Sequence, residues 1–256
     1  MSRSRSGSVP AGSRTEAAAA TSRRCKGVLF DYGGTLVNFD YPSEGLLEVM
    51  RAFRPRIQAE LGVPAPEAAT ILRDVLIPLE AHVNSLSEDE VEYMDVYRGA
   101  WHRAGWELSD ALLYEILDEE QRCWERAVRV ESGALEILSW LGSLGIRRGL
   151  CSNAPFPAPL LRRQLVGNGI FQLLDGAVFS SEVGRRKPAP EVYRAALLAI
   201  GTAPEETLFV GNRVREDYEG PRALGIRAVI VTAGAQEPVP DGVAVIPSLR
   251  ELAGVL

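Results

Sequence analysis

The spacing of apolar residues changes along the chain and divides it into regions with different expected structures. Residues 1–24 have no apolar period and consist mainly of Ser, Arg, Gly and Ala. Such a segment buries too little apolar surface to offset the entropy lost on ordering, so we predict a disordered tail. Because it contains several Arg and a single acid, Glu16, a transit peptide that directs the protein to an organelle is the alternative.

Residues 41–128 carry their apolar residues at helical spacing and contain few β-branched runs, which predicts an inserted helical domain. One helix is expected over 45–62, where Pro55 should kink or divide it. A second should start at a capping box formed by Ser87–Glu90, and a third should be capped by Ser109.

The flanking segments, 25–40 and 129–256, favour a parallel sheet. Val28, Leu29 and Phe30 form an unbroken apolar run, which suits a strand that is covered on both faces. In the second segment strand and helix patterns alternate, as expected of βαβ units, so the predicted fold class is α/β. Further strands are predicted at 147–152, 177–181, 207–211, 228–231 and 243–246, and helices at 134–144, 160–166, 190–200 and 249–253.

Composition narrows the possible functions. The formal charge of −6 and pI near 5.2 argue against a nucleic-acid partner, because no basic field is available to displace counterions. No apolar run approaches the roughly 20 residues that span a bilayer, so no membrane association is expected. Cys25, Cys123 and Cys151 lie far apart without metal-ligand spacing, which is typical of free thiols in a reducing compartment. We therefore expect a cytoplasmic protein.

Polar residues follow the first four predicted strands of the sheet. Because ligands of open α/β sheets bind in the crevice at the carboxyl ends of the strands, these residues should meet at one site. They are Asp31 and Thr35 after the first strand, Ser152 and Asn153 after the second, Lys187 after the third, and Asn212 and Asp217 after the fourth.

This set of residues suits phosphate chemistry. The Asp31 carboxylate could attack phosphorus and form an aspartyl-phosphate. Ser152 and Lys187, with backbone amides near Gly33 and Gly34, could donate hydrogen bonds to the transferring oxygens. Asp31 and Asp217 could hold one Mg²⁺ ion, which prefers hard oxygen ligands.

Four segments in order resemble the signature motifs of the haloacid dehalogenase superfamily of phosphohydrolases. The matching segments are Asp31–Leu36, Leu150–Asn153, Ser180–Pro188 and Phe209–Asp217. The resemblance implies a Rossmann-like core over 25–40 and 129–256 and a helical cap domain at 41–128. It implies Mg²⁺ as cofactor and a small phosphorylated substrate, with a monomer or homodimer as the expected state.

The resemblance also assigns roles to individual residues. Asp31 would be the nucleophile, with Lys187 as the second catalytic residue. The phosphate ligands would be Gly34, Thr35, Ser152, Asn153 and Lys187, and the metal site would comprise Asp31, Gly33, Asn212 and Asp217. Substrate choice would lie in the cap, where Tyr41, Tyr93, Arg98 and Trp101 are candidates.

Two positions depart from the family pattern. Gly33 stands where phosphatases of this kind carry a second Asp as general acid and base, a role worth typically 10²- to 10⁴-fold in rate. Asn212 stands where the fourth motif usually has Asp, so a charged metal ligand becomes a neutral one. The phosphatase should therefore be impaired, or specialised for good leaving groups such as acyl phosphates.

Two alternatives remain open. The chain could be a catalytically impaired relative that binds phosphate compounds or a protein partner, or it could perform another chemistry on the same scaffold. Carbon–phosphorus cleavage would need a lysine in the cap, and residues 41–128 contain none. A dehalogenase-like hydrolase is disfavoured because such relatives usually carry Tyr at the position of Gly33.

Overall fold

The computed structural model describes residues 25–83, 87–235 and 237–256, so the predicted tail at 1–24 lies outside the described residues. Within those ranges the core is a six-stranded sheet in the order β5-β4-β1-β6-β7-β8, with all neighbours parallel. A separate antiparallel pair joins β2 and β3. In chain order the strands are β1 Gly27–Phe30, β2 Val37–Phe39, β3 Val128–Val130, β4 Arg147–Ser152, β5 Gly176–Phe179, β6 Thr207–Gly211, β7 Arg227–Val231 and β8 Val245–Ile246.

Strand β1 lies near the centre of the sheet, as its continuous apolar sequence predicts. Its neighbours are β4 and β6, and all four of its residues are buried. Val28 and Phe30 belong to the hydrophobic core on one face, and Leu29 belongs to the core on the other face. Alternate side chains of a strand point to opposite faces, so β1 needs an apolar residue at every position.

Helices cover both faces of this sheet. The helices predicted near 134–144, 160–166 and 190–200 are confirmed, and Pro190 opens the last of them as expected. Strand β5 ends at Phe179 rather than at 181 because Ser180 already begins a short helix. The helices of the core are Ala134–Ser143, Ala158–Gly167, Ser180–Val183, Pro190–Ile200 and Gly220–Ala223, with a π-helical turn at Val214–Glu219 and a 3₁₀ segment at Leu249–Val255.

The chain between β2 and β3 forms what we call the helical unit, residues 43–127. Its described side chains build a second hydrophobic core, which Leu160 of helix Ala158–Gly167 also joins, and Tyr97 and Trp101 are fully buried in it. The helix that begins at Ser43 runs unbroken through Pro55, so the predicted division at that proline is wrong. The helices of this unit are Ser43–Leu61, Ala68–Ile71, Ile77–Val83, Tyr93–Arg103 and Asp110–Ala127, with a π-helical segment at Leu72–Leu76.

None of the described helices has the length and hydropathy that crossing a bilayer requires. The three cysteines are buried and free, in agreement with the expectation from their spacing. Ser109 caps its helix by accepting a hydrogen bond from Leu112 N at 3.3 Å, which confirms that prediction.

The capping box predicted at Ser87–Glu90 is wrong. The helix begins at Tyr93 and has no side-chain cap, while the segment before it pairs with the core. Glu90 N donates to the Gly184 carbonyl at 3.1 Å, and Arg186 N donates to the Glu88 carbonyl at 2.8 Å. Because these bonds hold the segment in an extended pairing with the core loop, it cannot also form the first turn of a helix.

Candidate active site

The structure brings the polar residues at the strand ends to one edge of the sheet, as predicted. They surround a cavity of about 690 Å³ that lies between the sheet edge and the helical unit. Thr35 and Asn212 are buried next to the cavity rather than in its lining. The predicted residues that line it are Asp31, Gly33, Gly34, Ser152, Asn153, Lys187 and Asp217.

The Lys187 ammonium joins the two carboxylates of the site. Its Nζ lies 2.7 Å from Asp31 Oδ1 and 2.7 Å from Asp217 Oδ1. The Lys187 side chain is 2% exposed, so solvent screens these ion pairs only weakly. Lys187 therefore bridges the carboxylates that follow β1 and β6.

Charge and burial act against each other in this triad. Burial raises the pKa of Asp31 above its ordinary value, and the positive charge of Lys187 opposes that effect. Burial would lower the pKa of Lys187, but the charges of Asp217 and Asp31 outweigh it and raise that pKa. The lysine therefore stays protonated at neutral pH and can hold an anionic group beside Asp31.

Asp217 also fixes the turn that follows β6. Its second oxygen, Oδ2, accepts hydrogen bonds from Asn212 N at 3.0 Å and Arg213 N at 2.9 Å. A side chain at Gly211 would collide with the Asp217 carboxyl, so that position has room only for glycine. Both Asp217 oxygens are thus engaged within the protein.

Gly34 and Asn212 pack directly against each other. Gly34 has a φ of +77°, and any β-carbon there would collide with Asn212 Nδ2. The Asn212 amide donates to the Gly234 carbonyl at 2.8 Å, and its Oδ1 lies 3.5 Å from Thr35 Oγ1. Asn212 therefore ties the loop after β1 to the loop after β7, a role that the sequence did not suggest for Gly234.

Asn153 and Ser152 lie side by side but face different groups. The Asn153 side chain accepts from Lys187 N at 2.7 Å and donates to the Lys187 carbonyl at 3.1 Å. Asn153 thus holds the backbone that carries Lys187. Ser152, the last residue of β4, is 4% exposed and lines the cavity beside Asp31.

The absence of an acid at Gly33 is not imposed by packing. Gly33 lines the cavity, and its φ lies outside the left-handed region that favours glycine. A β-carbon there would meet only the Phe39 ring, at 3.4 Å, which is ordinary van der Waals contact. The site therefore has room for a side chain at Gly33, beside the cavity.

The helical unit supplies side chains to the cavity that the sequence did not single out. Of its described residues, those that line the cavity are Glu80, Val83, Gln121 and Trp124. Gln121 is 2% exposed, and its helix places it one turn before Trp124. Residues at positions i and i+3 lie on the same helix face. The spacing of Gln121 and Trp124 in the sequence therefore indicates that they share a face.

The cap residues that we predicted for substrate choice lie elsewhere. Tyr93 and Trp101 are buried in the core of the helical unit. Arg98 forms ion pairs with Asp95 and Asp110 on the surface. Tyr41 packs edge-on against Trp124, with ring centroids 5.4 Å apart, and so reaches the cavity only through that ring.

No group of three or more His, Cys, Asp or Glu side chains within the described residues is arranged to hold a metal ion. Gly33 and Asn212 stand where the family pattern has acids, so Asp31 and Asp217 are the carboxylates that remain of that pattern. Other oxygens at this edge belong to the Asn212 amide, the Ser152 hydroxyl, the backbone and the carboxylate of Glu216, which also lines the cavity.

A parallel α/β core with charged and polar side chains at the carboxyl ends of its strands is typical of an α/β enzyme. The family model described as haloacid dehalogenase-like hydrolase matches residues 25–225, which is most of the chain. The protein belongs to this family of hydrolases.

Two curated relatives are named as phosphatases. Phosphoglycolate phosphatase of Pseudomonas putida is 26% identical over 209 residues, which make up 81% of this chain and 69% of that protein. Phosphoserine phosphatase of Thermus thermophilus is 42% identical over 82 residues, but the match spans only 32% of this chain and 33% of that protein.

A solved structure with the same fold is a dehalogenase. The 2-haloacid dehalogenase of Pseudomonas syringae pv. Tomato has a TM-score of 0.63, covers 91% of this chain and 98% of its own, and is 19% identical. At this identity the likeness concerns the fold alone. The choice of reaction must therefore be argued from the side chains at the site.

Proposed function

We propose that the protein is a phosphohydrolase that transfers the phosphoryl group of a small phosphorylated metabolite to Asp31 and then to water. The observation that carries this proposal is the Lys187 ammonium, held 2.7 Å from Asp31 at the edge of the cavity. A fixed positive charge next to a carboxylate nucleophile suits the approach of an anionic phosphoryl group. The names of the two curated relatives support the same reaction class.

The reaction has two displacements. An Asp31 oxygen forms a bond to phosphorus while the bond from phosphorus to the leaving oxygen breaks, and water then attacks phosphorus and releases Asp31 and phosphate. Lys187 and Ser152 border the cavity where the phosphoryl oxygens would lie. Because Gly33 has no acid, the leaving group must depart without a proton from that position. Acyl and aryl phosphates should therefore react faster than alkyl phosphates.

The donor set fits one Mg²⁺ ion, because every group that could hold it is a hard oxygen. Asp31 and the Gly33 carbonyl would hold the ion, and Asp217 would add the second negative charge. The Asn212 amide oxygen faces Thr35 Oγ1 and lies outside the cavity lining, so it is not placed to bind the ion directly. When bound, Mg²⁺ would neutralise charge on the phosphoryl oxygens. With two carboxylates instead of four, the affinity should be lower than in relatives that keep both acids.

The helical unit would act as a cap that selects the substrate. Glu80, Val83, Gln121 and Trp124 border the cavity across from the strand ends. A cavity of about 690 Å³ suits a metabolite rather than a macromolecule. Gln121 and Trp124 offer one hydrogen-bonding group and one aromatic face to the part of the substrate that leaves.

The test is Mg²⁺-dependent release of phosphate from acetyl phosphate and p-nitrophenyl phosphate. The blank is Asp31→Asn, and the matched control is Asp175→Asn, which removes a carboxylate bonded to Arg147 and Arg148 away from the cavity. We expect turnover by the wild type and by the control, and none by the blank.

If the wild type matches the Asp31→Asn blank on both substrates, the phosphatase proposal is wrong. Inorganic phosphate binding without turnover would then favour the catalytically impaired alternative. Chloride release from 2-chloropropionate that requires Asp31 would favour the dehalogenase-like one.

A further inference from the structure

A buried carboxylate of the helical unit lies between two loops of the site. Glu90 comes from the segment before helix Tyr93–Arg103, yet its side chain is only 1% exposed. Its Oε1 accepts a hydrogen bond from Arg186 Nη1 at 3.0 Å, and its Oε2 accepts one from the Ser180 hydroxyl. Glu90 lies outside the four sequence motifs, and it does not line the cavity.

The first contact, with Arg186, connects Glu90 to the loop that carries Lys187. Arg186 immediately precedes Lys187, and its side chain is 8% exposed. The same Nη1 donates to the Val83 carbonyl at 2.8 Å, so the guanidinium bonds to the helical unit at two points. Glu90 N also donates to the Gly184 carbonyl at 3.1 Å. The loop that carries Lys187 is therefore held from the helical unit through both side chain and backbone.

The second contact, with Ser180, connects Glu90 to the loop that follows β4. Ser180 is fully buried, and its Oγ accepts a hydrogen bond from Ala154 N at 2.7 Å while donating to Glu90. Ala154 directly follows Ser152 and Asn153. A single carboxylate thus holds the loop after β4 through Ser180 and the loop of Lys187 through Arg186.

We propose that Glu90 is a positioning residue that couples the helical unit to the loop after β4 and to the loop of Lys187. In this role it keeps Ser152 and Lys187 in place relative to Asp31. This inference rests on the proposed phosphatase function for its kinetic consequence, but the coupling itself is a property of the fold. Because small displacements of catalytic groups reduce rate steeply, loss of the Glu90 charge should reduce kcat more than it changes KM.

The matched control is provided by the same segment. Glu88 pairs across the same backbone bridge, but its carboxylate is 42% exposed and contacts Arg185 and Arg215 at the surface. Glu88→Gln and Glu90→Gln are the same chemical change two residues apart. Glu88 reaches the Lys187 loop only through the half-exposed Arg185 and does not contact the loop after β4, so only Glu90→Gln removes a charge that reaches both loops.

The first measurement is hydrogen–deuterium exchange of the peptides that cover 152–156 and 184–189. We expect faster exchange in both peptides for Glu90→Gln and wild-type exchange in 152–156 for Glu88→Gln, whose carboxylate does not contact that loop. Ser180→Ala leaves the Glu90–Arg186 pair intact, so it should speed exchange in 152–156 alone, and it provides the test if Glu90→Gln does not fold. Wild-type exchange in both peptides for Glu90→Gln, or in 152–156 for Ser180→Ala, overturns the inference.

The second measurement is kcat and KM on p-nitrophenyl phosphate. We expect kcat of Glu90→Gln to fall roughly tenfold or more, with Glu88→Gln at the wild-type value. Equal kcat for the two variants overturns the kinetic part of the inference. If the wild type itself matches Asp31→Asn, the proposed function fails while hydrogen exchange still decides the coupling.

Discussion

Glu120 should make the stability of the helical unit fall as pH rises. Its side chain is buried on helix Asp110–Ala127, 5% exposed, and accepts a hydrogen bond from the Tyr97 hydroxyl at 2.7 Å. Burial raises the pKa of Glu120 from an ordinary 4.5 to about 8, and the Tyr97 hydrogen bond opposes only part of that effect. The folded protein therefore keeps this proton at neutral pH, where the unfolded chain has lost it.

The magnitude follows from proton linkage. Between pH 4.5 and pH 8 the folded state binds one more proton at this position than the unfolded state, so stability decreases as pH rises. Each pH unit in this range lowers the free energy of unfolding by about 1.4 kcal/mol. From pH 5 to pH 8 the loss is about 3 to 4 kcal/mol, and it levels off above pH 8, where both states are ionised.

Glu120→Gln removes this dependence because an amide has no proton to lose. We expect the variant to be more stable than the wild type at pH 8 by about 3 to 4 kcal/mol and to differ little at pH 5. Urea unfolding followed by tryptophan fluorescence suits the measurement, since Trp101, Trp106 and Trp124 all belong to the helical unit.

The control is Glu119→Gln, which changes a neighbouring carboxylate that is 46% exposed and pairs with Arg122. It should follow the wild-type curve. Parallel pH curves for the wild type and Glu120→Gln between pH 5 and pH 8 would refute the reasoning, because they would mean that Glu120 ionises in the folded state as it does in water.

Two further predictions concern the cavity. Gly33→Asp should raise turnover of alkyl phosphates by about 10²-fold, since the position has room for a side chain beside Phe39 and general acid catalysis is worth at least that much. Gly33→Asn is the matched control. An equal gain in both variants would exclude proton transfer as the cause. Gln121→Leu should raise KM up to roughly tenfold with less effect on kcat, because one buried hydrogen bond to substrate is lost. The exposed Gln58→Leu should leave KM unchanged, and an unchanged KM for Gln121→Leu would mean that substrate does not reach this side chain.

The strand-end residues can be located from the sequence, because each is identified by its place directly after an apolar strand segment. An apolar run that stops at Asp31, and polar residues after each later strand, predict a shared edge whenever the strands are parallel. The structure places Asp31, Ser152, Lys187 and Asp217 around one cavity, in agreement with that prediction. Their individual roles as nucleophile, phosphate ligand and metal ligand stay predictions.

The helical unit was harder to predict in detail. Amphipathic spacing identifies a buried face, but a face that packs on other helices and a face that borders a cavity have the same pattern. Tyr93 and Trp101, which the resemblance offers as substrate contacts, lie in the core, whereas Gln121 and Trp124 border the cavity. The local pattern predicts a helix cap at Glu90, but its actual partners, Arg186 and Ser180, are about 90 residues away in sequence.

The sequence alone determined the α/β class and the chemical groups of the site, because strand periodicity and strand ends depend on neighbours along the chain. It also showed that the acids expected at Gly33 and Asn212 are absent. Only the tertiary structure decided that Gly33 has room for a side chain, that Asn212 packs on Gly34, and that Glu90 joins two loops. These properties depend on distances between segments far apart in sequence, and no local pattern encodes such distances.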